Sequence, residues 1–221
     1  MTPPIIAIDG PSGAGKGTVA RAIARELGYR YVDSGAMYRA IGWKALQAHV
    51  AMDDEEGVAK LAEQSQIELE GATVCVDGVD ITRAIRTPEI DQAAAAVAKL
   101  PRVRAVLVER QRQLGQGGAL VMEGRDIGTV VFPDAPVKIY LDAEPEERAR
   151  RRATDLTHSS SPTTMAEVVS ALAARDLIDR TRSASPLHAA ADAVRVDTTH
   201  RSIEEVVSEV LRLVRGRQRS L

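Results

Sequence analysis

The chain has 221 residues, of which 44% are hydrophobic and 27% are charged, and its formal net charge is -2. At roughly 150 residues per domain, this length predicts one domain (residues 1–221) that carries an insertion, and the near-neutral charge argues against a partner that is a nucleic acid polymer. With a single cysteine and 3% aromatic residues, the sequence excludes an intrachain disulfide, a multi-cysteine zinc site and an extended base-stacking surface.

Five short apolar segments alternate with helical patterns along the chain. The first, residues 4–8, is apolar without alternation, as in a strand that is buried on both faces. It is too short for a signal peptide or a membrane span, so we expect a cytoplasmic protein with no membrane partner. The other segments are residues 31–32, 119–122, 137–141 and 193–196. Strand and helix in repetition predict an α/β fold, a five-stranded parallel sheet with helices on both faces.

One region interrupts this alternation. Between residues 67 and 82, two β-prone runs flank Asp77-Gly78, a dipeptide typical of a tight hairpin turn. We therefore predict a small antiparallel β-containing insertion at roughly residues 50–100, with a helix on each side of the hairpin. Farther along, the polar, serine-rich segment 154–164 lies between two helical patterns and is predicted to be a loop.

Residues 10–16 follow the first strand, lead into the first helix and match the G-x-x-x-x-G-K pattern of a phosphate-binding loop. In such a loop, backbone N–H groups and the helix N-terminus face the anion, and Lys16 reaches the β- and γ-phosphates. The alternative is a plain glycine-rich turn. Gly17 stands where most such loops have Ser or Thr, so we expect magnesium to be held mainly by phosphates and water, with Thr18 as the candidate protein ligand. The predicted ATP-binding residues are Gly10, Pro11, Ser12, Gly13, Ala14, Gly15, Lys16, Gly17 and Thr18.

Side chains suited to a second, phosphorylated substrate occur at four further places. They are Ser34 and Arg39 after the second strand, Arg104 near the start of a helix, Arg125 and Asp126 after the third strand, and Arg175, Asp179 and Arg182 at i, i+4 and i+7 of a later helix. Taken singly, each has a simpler interpretation: Ser34 caps the helix that follows it, and Arg175 with Asp179 forms a solvated ion pair. Several of them follow strands of one sheet edge, where open α/β sheets bind ligands, which favours a substrate site.

Taken as a whole, the chain resembles the bacterial cytidylate kinases, P-loop kinases that phosphorylate CMP and dCMP. The resemblance is carried by residues 8–18, 33–39, 85–87, 101–104, 124–135, 182 and 185–187. It implies a P-loop NTPase type of sheet, an NMP-binding insertion at roughly residues 50–100 and a lid at residues 148–165. It also implies ATP as co-substrate with Mg²⁺, and CMP or dCMP as the acceptor.

The resemblance further implies a role for each candidate side chain. Asp126 and Arg104 would contact the amino group and the acceptor atoms of cytosine, which suit a carboxylate and an arginine. Ala95 stands where members of the family often carry a serine near the base. The residues implied to act in phosphoryl transfer are Lys16, Arg125, Arg151 and Arg152, and those implied to bind CMP are Ser34, Arg39, Arg104, Arg125, Asp126, Arg175, Asp179 and Arg182.

Two other functions stay open at this point. One is a phosphoryl transferase of the same architecture that acts on UMP or a small hydroxy acid; the other is a non-catalytic nucleotide switch. The cluster of arginines argues against a switch, which does not need them. Arg148, Arg151 and Arg152 share a helix face, which is either part of a lid or a solvated basic face paired with neighbouring glutamates. We expect a monomer, because the sequence leaves no apolar helix stripe without a partner.

Overall fold

The computed structural model describes residues 3–154 and 164–218, and its central feature is a five-stranded parallel sheet. With strands numbered along the chain, the sheet consists of β1 (Ile5–Asp9), β2 (Arg30–Asp33), β6 (Leu120–Gly124), β7 (Val137–Asp142) and β8 (Val194–Asp197). Their order is β2-β6-β1-β7-β8, and every neighbouring pair is parallel. The predicted sheet is therefore confirmed. Because all five strands run the same way, their carboxyl ends share one edge.

Helices cover both faces of this sheet. They are α1 (Lys16–Leu27), α2 (Ser34–Gln47), α3 (Glu55–Gln64), α4 (Pro88–Val97), α5 (Pro101–Gly115), α6 (Pro145–Thr154), α7 (Met165–Thr181) and α8 (Ile203–Gln218). On one face, Ile6 and Ile8 pack with α1 and α8, while Ala7 and Met122 pack toward α5 on the other. This explains why β1 is apolar without alternation. No helix in the described ranges is long and apolar enough to cross a membrane.

The predicted insertion contains a second, antiparallel sheet. Its strands are β3 (Ile67–Glu70), β4 (Thr73–Val76) and β5 (Val79–Asp80). The turn between β4 and β5 falls at Asp77-Gly78, as predicted, and both residues have a positive φ (52° and 78°). The sequence pattern did not assign a strand to residues 67–70, which alternate between half-buried and exposed positions. Helices α3 and α4 flank this sheet in the chain.

Two local predictions need correction or extension. Ser34 does not cap α2: Asp33 is the N-cap, and its Oδ1 accepts a hydrogen bond from the backbone N–H of Ala36 (3.0 Å). Ser34 is instead the first residue of the helix, and its hydroxyl donates to the main-chain oxygen of Glu123 (2.7 Å). A short π-helix at Ile127–Val131, which the pattern did not predict, follows β6. Of the predicted lid, residues 148–154 belong to α6, and residues 155–163 lie outside the described residues.

Candidate active site

The carboxyl edge of the sheet opens into a cleft of about 1220 Å³. The phosphate-binding loop forms one part of its wall, and α4, α5, α6 and α7 contribute others. All the side chains predicted to act in transfer or to bind the acceptor line this cleft: Lys16, Ser34, Arg39, Arg104, Arg125, Asp126, Arg151, Arg152, Arg175, Asp179 and Arg182. Of the predicted ATP-binding residues, 12–18 line it, whereas Gly10 and Pro11 do not.

The phosphate-binding loop is tightly packed against its neighbours. Gly10 has φ 151°, and a Cβ there would lie 2.0 Å from the main-chain oxygen of Leu141, so only glycine fits this position. Arg148 anchors the other side of the loop: its Nη1 donates to the oxygen of Ser12 (3.1 Å), and the guanidinium pairs with Asp176. Arg148 is buried, so it holds the loop in place and does not belong to an exposed arginine face.

Lys16 is buried at the start of α1, and its Nζ donates to the oxygen of Pro11 at 2.8 Å. Burial, and then the nearby guanidinium of Arg125, lower its pKa from 10.5 to about 7, while Glu123 acts in the opposite direction. A polyphosphate bound by the loop would place negative charge beside this ammonium and favour its protonated form.

A buried carboxylate beside the loop explains why residue 17 is glycine. Glu123 lies near the end of β6, and its Oε1 accepts a hydrogen bond from the hydroxyl of Tyr31 (2.9 Å). A Cβ at position 17 would lie 2.7 Å from the same oxygen, so a serine there would displace the carboxylate. Burial, and then Asp33, raise the pKa of Glu123, so a nearby cation would stabilise its ionised form.

This arrangement suits a magnesium ion that keeps most of its ligands from phosphate and water. Within residues 3–154 and 164–218, no three His, Cys, Asp or Glu side chains form a metal cluster. Mg²⁺ prefers one or two carboxylates together with substrate phosphates and water, so it does not need such a cluster. Glu123 and Thr18, which both line the cleft next to the loop, are the protein oxygens that fit this role.

A second group of arginines faces the cleft beside the loop. Arg39 Nη2 lies 2.6 Å from Asp33, and Arg125 Nε lies 2.7 Å from Asp179 Oδ2. Arg182 Nη1 is 3.7 Å from the other oxygen of Asp179. Among the described residues, Nε of Arg39 and Nη2 of Arg182 are buried without a hydrogen-bond partner. Buried donors are normally satisfied, so these two indicate a place for an anionic ligand.

Arg104 and Asp126, the implied base-contacting residues, form a buried ion pair with each other. Ser185 supports this pair; it is among the residues that carry the family resemblance, but no role was assigned to it from the sequence. Its Oγ accepts from Arg104 Nε (3.3 Å), and its main-chain oxygen accepts from Arg182 Nε (2.7 Å). Ser185 has φ 53°, a left-handed conformation that is uncommon for serine. This turn orients two arginines at once.

The interpretation of Arg175 and Asp179 as a solvated helix pair is wrong. Asp179 is buried against Arg125 and Arg182, whereas Arg175 Nη1 lies 3.1 Å from Asp91 of α4. Burial alone would raise the pKa of Asp179, but Arg125 and then Arg175 reverse this effect, and the pKa is lowered. Asp179 is therefore held ionised between two arginines.

The remaining arginines of α6 point in different directions. Arg151 pairs with Glu147 (2.8 Å), donates to the oxygen of Thr198 (2.6 Å) and lies beside Gly15 of the phosphate-binding loop. Arg152 instead forms an ion pair with Asp91. The predicted pairing with a glutamate is therefore seen for Arg151 but not for Arg152, and the Arg151 side chain is mostly buried and is not part of a solvated face.

Carboxylates at strand ends were the main feature that the sequence reasoning missed. Asp9 ends β1, and its two oxygens accept the N–H groups of Ile127 (2.8 Å) and Gly128 (2.7 Å), which fixes the start of the π-helix. Burial raises the pKa of Asp9 to about 6, although the two N–H groups oppose this. Glu123 lies near the end of the adjacent strand β6, and Asp33 ends β2 on the far side of β6. Their positions after apolar strand patterns could have identified all three.

Comparison with known proteins agrees with this geometry. The family model described as cytidylate kinase matches residues 6–216. A cytidylate kinase from Desulfitobacterium hafniense (strain Y51) is 52% identical over 94% of this chain and 91% of its own length, and one from Geobacillus sp. (strain WCH70) is 48% identical over 96% of both. A gluconokinase crystal structure from Sinorhizobium meliloti 1021 shares the fold at a TM-score of 0.50 and 15% identity, over 96% of this chain and 92% of that one. The chain therefore belongs to the cytidylate kinase family.

Proposed function

We propose that this enzyme transfers the γ-phosphoryl group of ATP to CMP or dCMP, with the residues of the cleft in the roles described below. The observation that carries the proposal is that the phosphate-binding loop shares one cleft with Arg39, Arg125 and Arg182. A kinase for a nucleoside monophosphate needs two anion sites that face a common space, so that donor and acceptor phosphates can meet.

On the donor side, the N–H groups of the loop and the Nζ of Lys16 bind the β- and γ-phosphates of ATP. Arg151, which lies beside Gly15, stabilises the negative charge of the transferred group, and Arg152 acts with it once it is free to reach the phosphates. Glu123 and Thr18 would hold magnesium together with the donor phosphates and water, and the ion would supply charge neutralisation for phosphoryl transfer.

On the acceptor side, Arg39, Arg125 and Arg182 bind the phosphate of CMP. One of its oxygens attacks the γ-phosphorus, a new P–O bond forms, and the bond to the bridging oxygen of ADP breaks. The second pKa of a phosphate monoester is about 6, so the attacking oxygen is already deprotonated at neutral pH and no general base is required. Catalysis then consists of alignment and charge stabilisation.

The base is selected by Arg104 and Asp126. The Asp126 carboxylate accepts from the amino group of cytosine, while Arg104 donates to its acceptor atoms. Uracil presents a carbonyl oxygen where cytosine has its amino group, and this oxygen would face the carboxylate unfavourably. Arg175, Asp179 and Ser34 contact the rest of the nucleotide. Ala95 also lines the cleft, and water takes the place of a side-chain hydroxyl there.

An assay that measures ADP release with CMP, dCMP, UMP, AMP and GMP tests this function. We expect CMP and dCMP to give the highest kcat/KM, with UMP well below them. If UMP or AMP were the better acceptor, the proposed roles of Arg104 and Asp126 would be refuted.

We further propose that the enzyme acts in the cytoplasm as a monomer of one domain, with residues 50–100 as the NMP-binding insertion and residues 148–165 as a lid. Support for the two segments comes from α4 and α6, which line the cleft from them. Light scattering after size-exclusion chromatography should give the mass of one chain, 23.7 kDa. A dimer mass at micromolar concentration would contradict the monomer.

A further inference from the structure

One carboxylate that has no assigned role, Asp91, contacts an arginine from the proposed donor side of the cleft and another from the proposed acceptor side. Asp91 belongs to α4, and its side chain is only 12% exposed. Its Oδ1 lies 3.1 Å from Arg175 Nη1 on α7, while its Oδ2 forms an ion pair with Arg152 on α6. One side chain of the insertion thus contacts an arginine of α6 and an arginine of α7.

The position of Asp91 on its helix makes this contact possible. Asp91 precedes Ala94, Ala95 and the C-cap residue Ala98 by three, four and seven positions, so all four lie on the same side of α4 and its C-terminal end. The three alanines line the cleft, as do Arg152 and Arg175, whereas Asp91 does not. The face of α4 that borders the substrates therefore also carries the carboxylate that holds these two arginines.

Arg152 differs in this respect from Arg151, its neighbour on α6. Glu147 and Thr198 hold Arg151 next to Gly15 of the phosphate-binding loop, so it already lies at the donor site. Arg152 is instead committed to a carboxylate of the insertion. A charge-assisted ion pair that is mostly buried competes strongly with phosphate for the same guanidinium. It fixes the orientation of the arginine and already neutralises its charge.

We propose that the ion pair with Asp91 restrains Arg152 and thereby lowers the affinity of the enzyme for the triphosphate. For Arg152 to bind the donor phosphates, its ion pair with Asp91 has to break. Breaking this pair removes a contact between α6 and α4, the helix of the insertion. Asp91 is thus a positioning residue that sets donor affinity through Arg152. The inference rests on the proposed donor site at the phosphate-binding loop.

The test measures the Kd of a non-hydrolysable ATP analogue with Mg²⁺ by isothermal titration calorimetry. Asp91→Asn removes the charge and keeps an amide oxygen for Arg175, while its NH₂ group cannot accept from Arg152. We expect its Kd to be about three- to tenfold lower than that of the wild type. Glu89→Gln, an exposed carboxylate in the first turn of the same helix, serves as the charge-matched control and should leave the Kd unchanged.

A double variant shows whether the effect passes through Arg152. In Arg152→Gln, the further change Asp91→Asn should give no additional gain in affinity. In steady-state assays, Asp91→Asn should lower the KM for ATP and leave kcat within about twofold. A purely structural role would lower the melting temperature and leave the Kd as it is, which would overturn the proposal. A higher Kd, expected if Asp91 presents Arg152 to the phosphates, would also overturn it.

The donor site is checked separately with Lys16→Ala. If that variant bound the analogue as tightly as the wild type, the donor site would be refuted, and the role of Asp91 with it. Weakened binding in Lys16→Ala together with an unchanged Kd in Asp91→Asn would overturn the role of Asp91 alone.

Discussion

Lys16 should take up a proton when the donor nucleotide binds. Its ammonium is buried, its Nζ donates to the oxygen of Pro11, and its pKa is lowered to about 7. Bound phosphates add negative charge within contact distance and favour the protonated form, which moves the pKa back toward its ordinary value. Binding and protonation of Lys16 are therefore linked.

The size of this effect follows from the two pKa values. At pH 8, a group with a pKa of about 7 carries a proton in about one tenth of the molecules, and a group returned to a pKa near 10 is protonated in nearly all of them. Binding should then take up about 0.9 proton per nucleotide. The phosphates of the nucleotide contribute little at this pH, because their last pKa is close to 6–7.

Isothermal titration calorimetry in several buffers of different ionisation enthalpy measures this number directly. Lys16→Arg is the matched control, since a guanidinium stays charged at this pH and should abolish the uptake while keeping a cation in the loop. At pH 6 the wild-type uptake should fall to near zero, because Lys16 is then protonated before binding. Equal uptake in the wild type and in Lys16→Arg at pH 8 would refute the buried, partly neutral lysine.

Four further predictions concern stability and specificity. Because the pKa of Lys16 is lower in the folded protein than in an unfolded chain, its burial destabilises the fold most below about pH 7, and this destabilisation is lost as the pH rises from about 7 to 10. Lys16→Met should therefore raise the unfolding free energy most below pH 7, by about 1–3 kcal/mol at pH 8 and by less above pH 10, as measured by denaturant titration. Asp126→Ala should raise the KM for CMP about a hundredfold and that for UMP far less, and an equal loss for both would remove Asp126 from base recognition. Ser185→Ala removes one acceptor from Arg104, the arginine that we propose contacts the base. It should raise the KM for CMP about three- to tenfold with little change in kcat, whereas an unchanged KM would leave this serine without a positioning role. Gly10→Ala should lower the free energy of unfolding by about 3 kcal/mol or more, because the new Cβ meets main-chain atoms of β7. Gly71→Ala, also at positive φ but with open space around it, should lower it by only about 1 kcal/mol in the same denaturation assay.

The architecture was predictable because strand and helix signals agree along most of the chain. Continuous apolar runs identified the buried parallel strands, and the glycine-rich loop fixed the start of α1. The insertion was predictable from Asp77-Gly78, which requires positive φ at its turn. Its strand at residues 67–70 was missed because a half-buried edge strand carries charged residues at alternate positions. The π-helix at Ile127–Val131 depends on the buried carboxylate of Asp9, a contact 118 positions away in sequence.

The candidate site was predictable as a set of side chains but not as a set of contacts. Strand ends and helix spacing place Arg39, Arg125 and Arg182 at one edge, and the resemblance to a family supplied their implied roles. Their ion-pair partners come from distant segments, such as Asp179 for Arg125, and nothing in the local sequence selects one carboxylate over another. Ser185 is a similar case, because its role depends on a left-handed backbone that no sequence pattern at that position requires.

The pairing of these arginines explains how a chain of net charge -2 can hold two anion sites. Five arginines of the cleft are paired with carboxylates of the protein: Arg39 with Asp33, Arg104 with Asp126, Arg125 with Asp179, and Arg152 and Arg175 with Asp91. These carboxylates offset the repulsion among clustered guanidinium groups and hold them in place, which reduces the entropy lost when a ligand binds. Substrate affinity consequently depends on the difference in free energy between arginine–phosphate pairs in the complex and arginine–carboxylate pairs within the protein. Removing a carboxylate therefore has two opposite effects, since it frees an arginine for phosphate and also loosens that arginine's position, and the sign of the change in Kd reports which effect is larger at each pair.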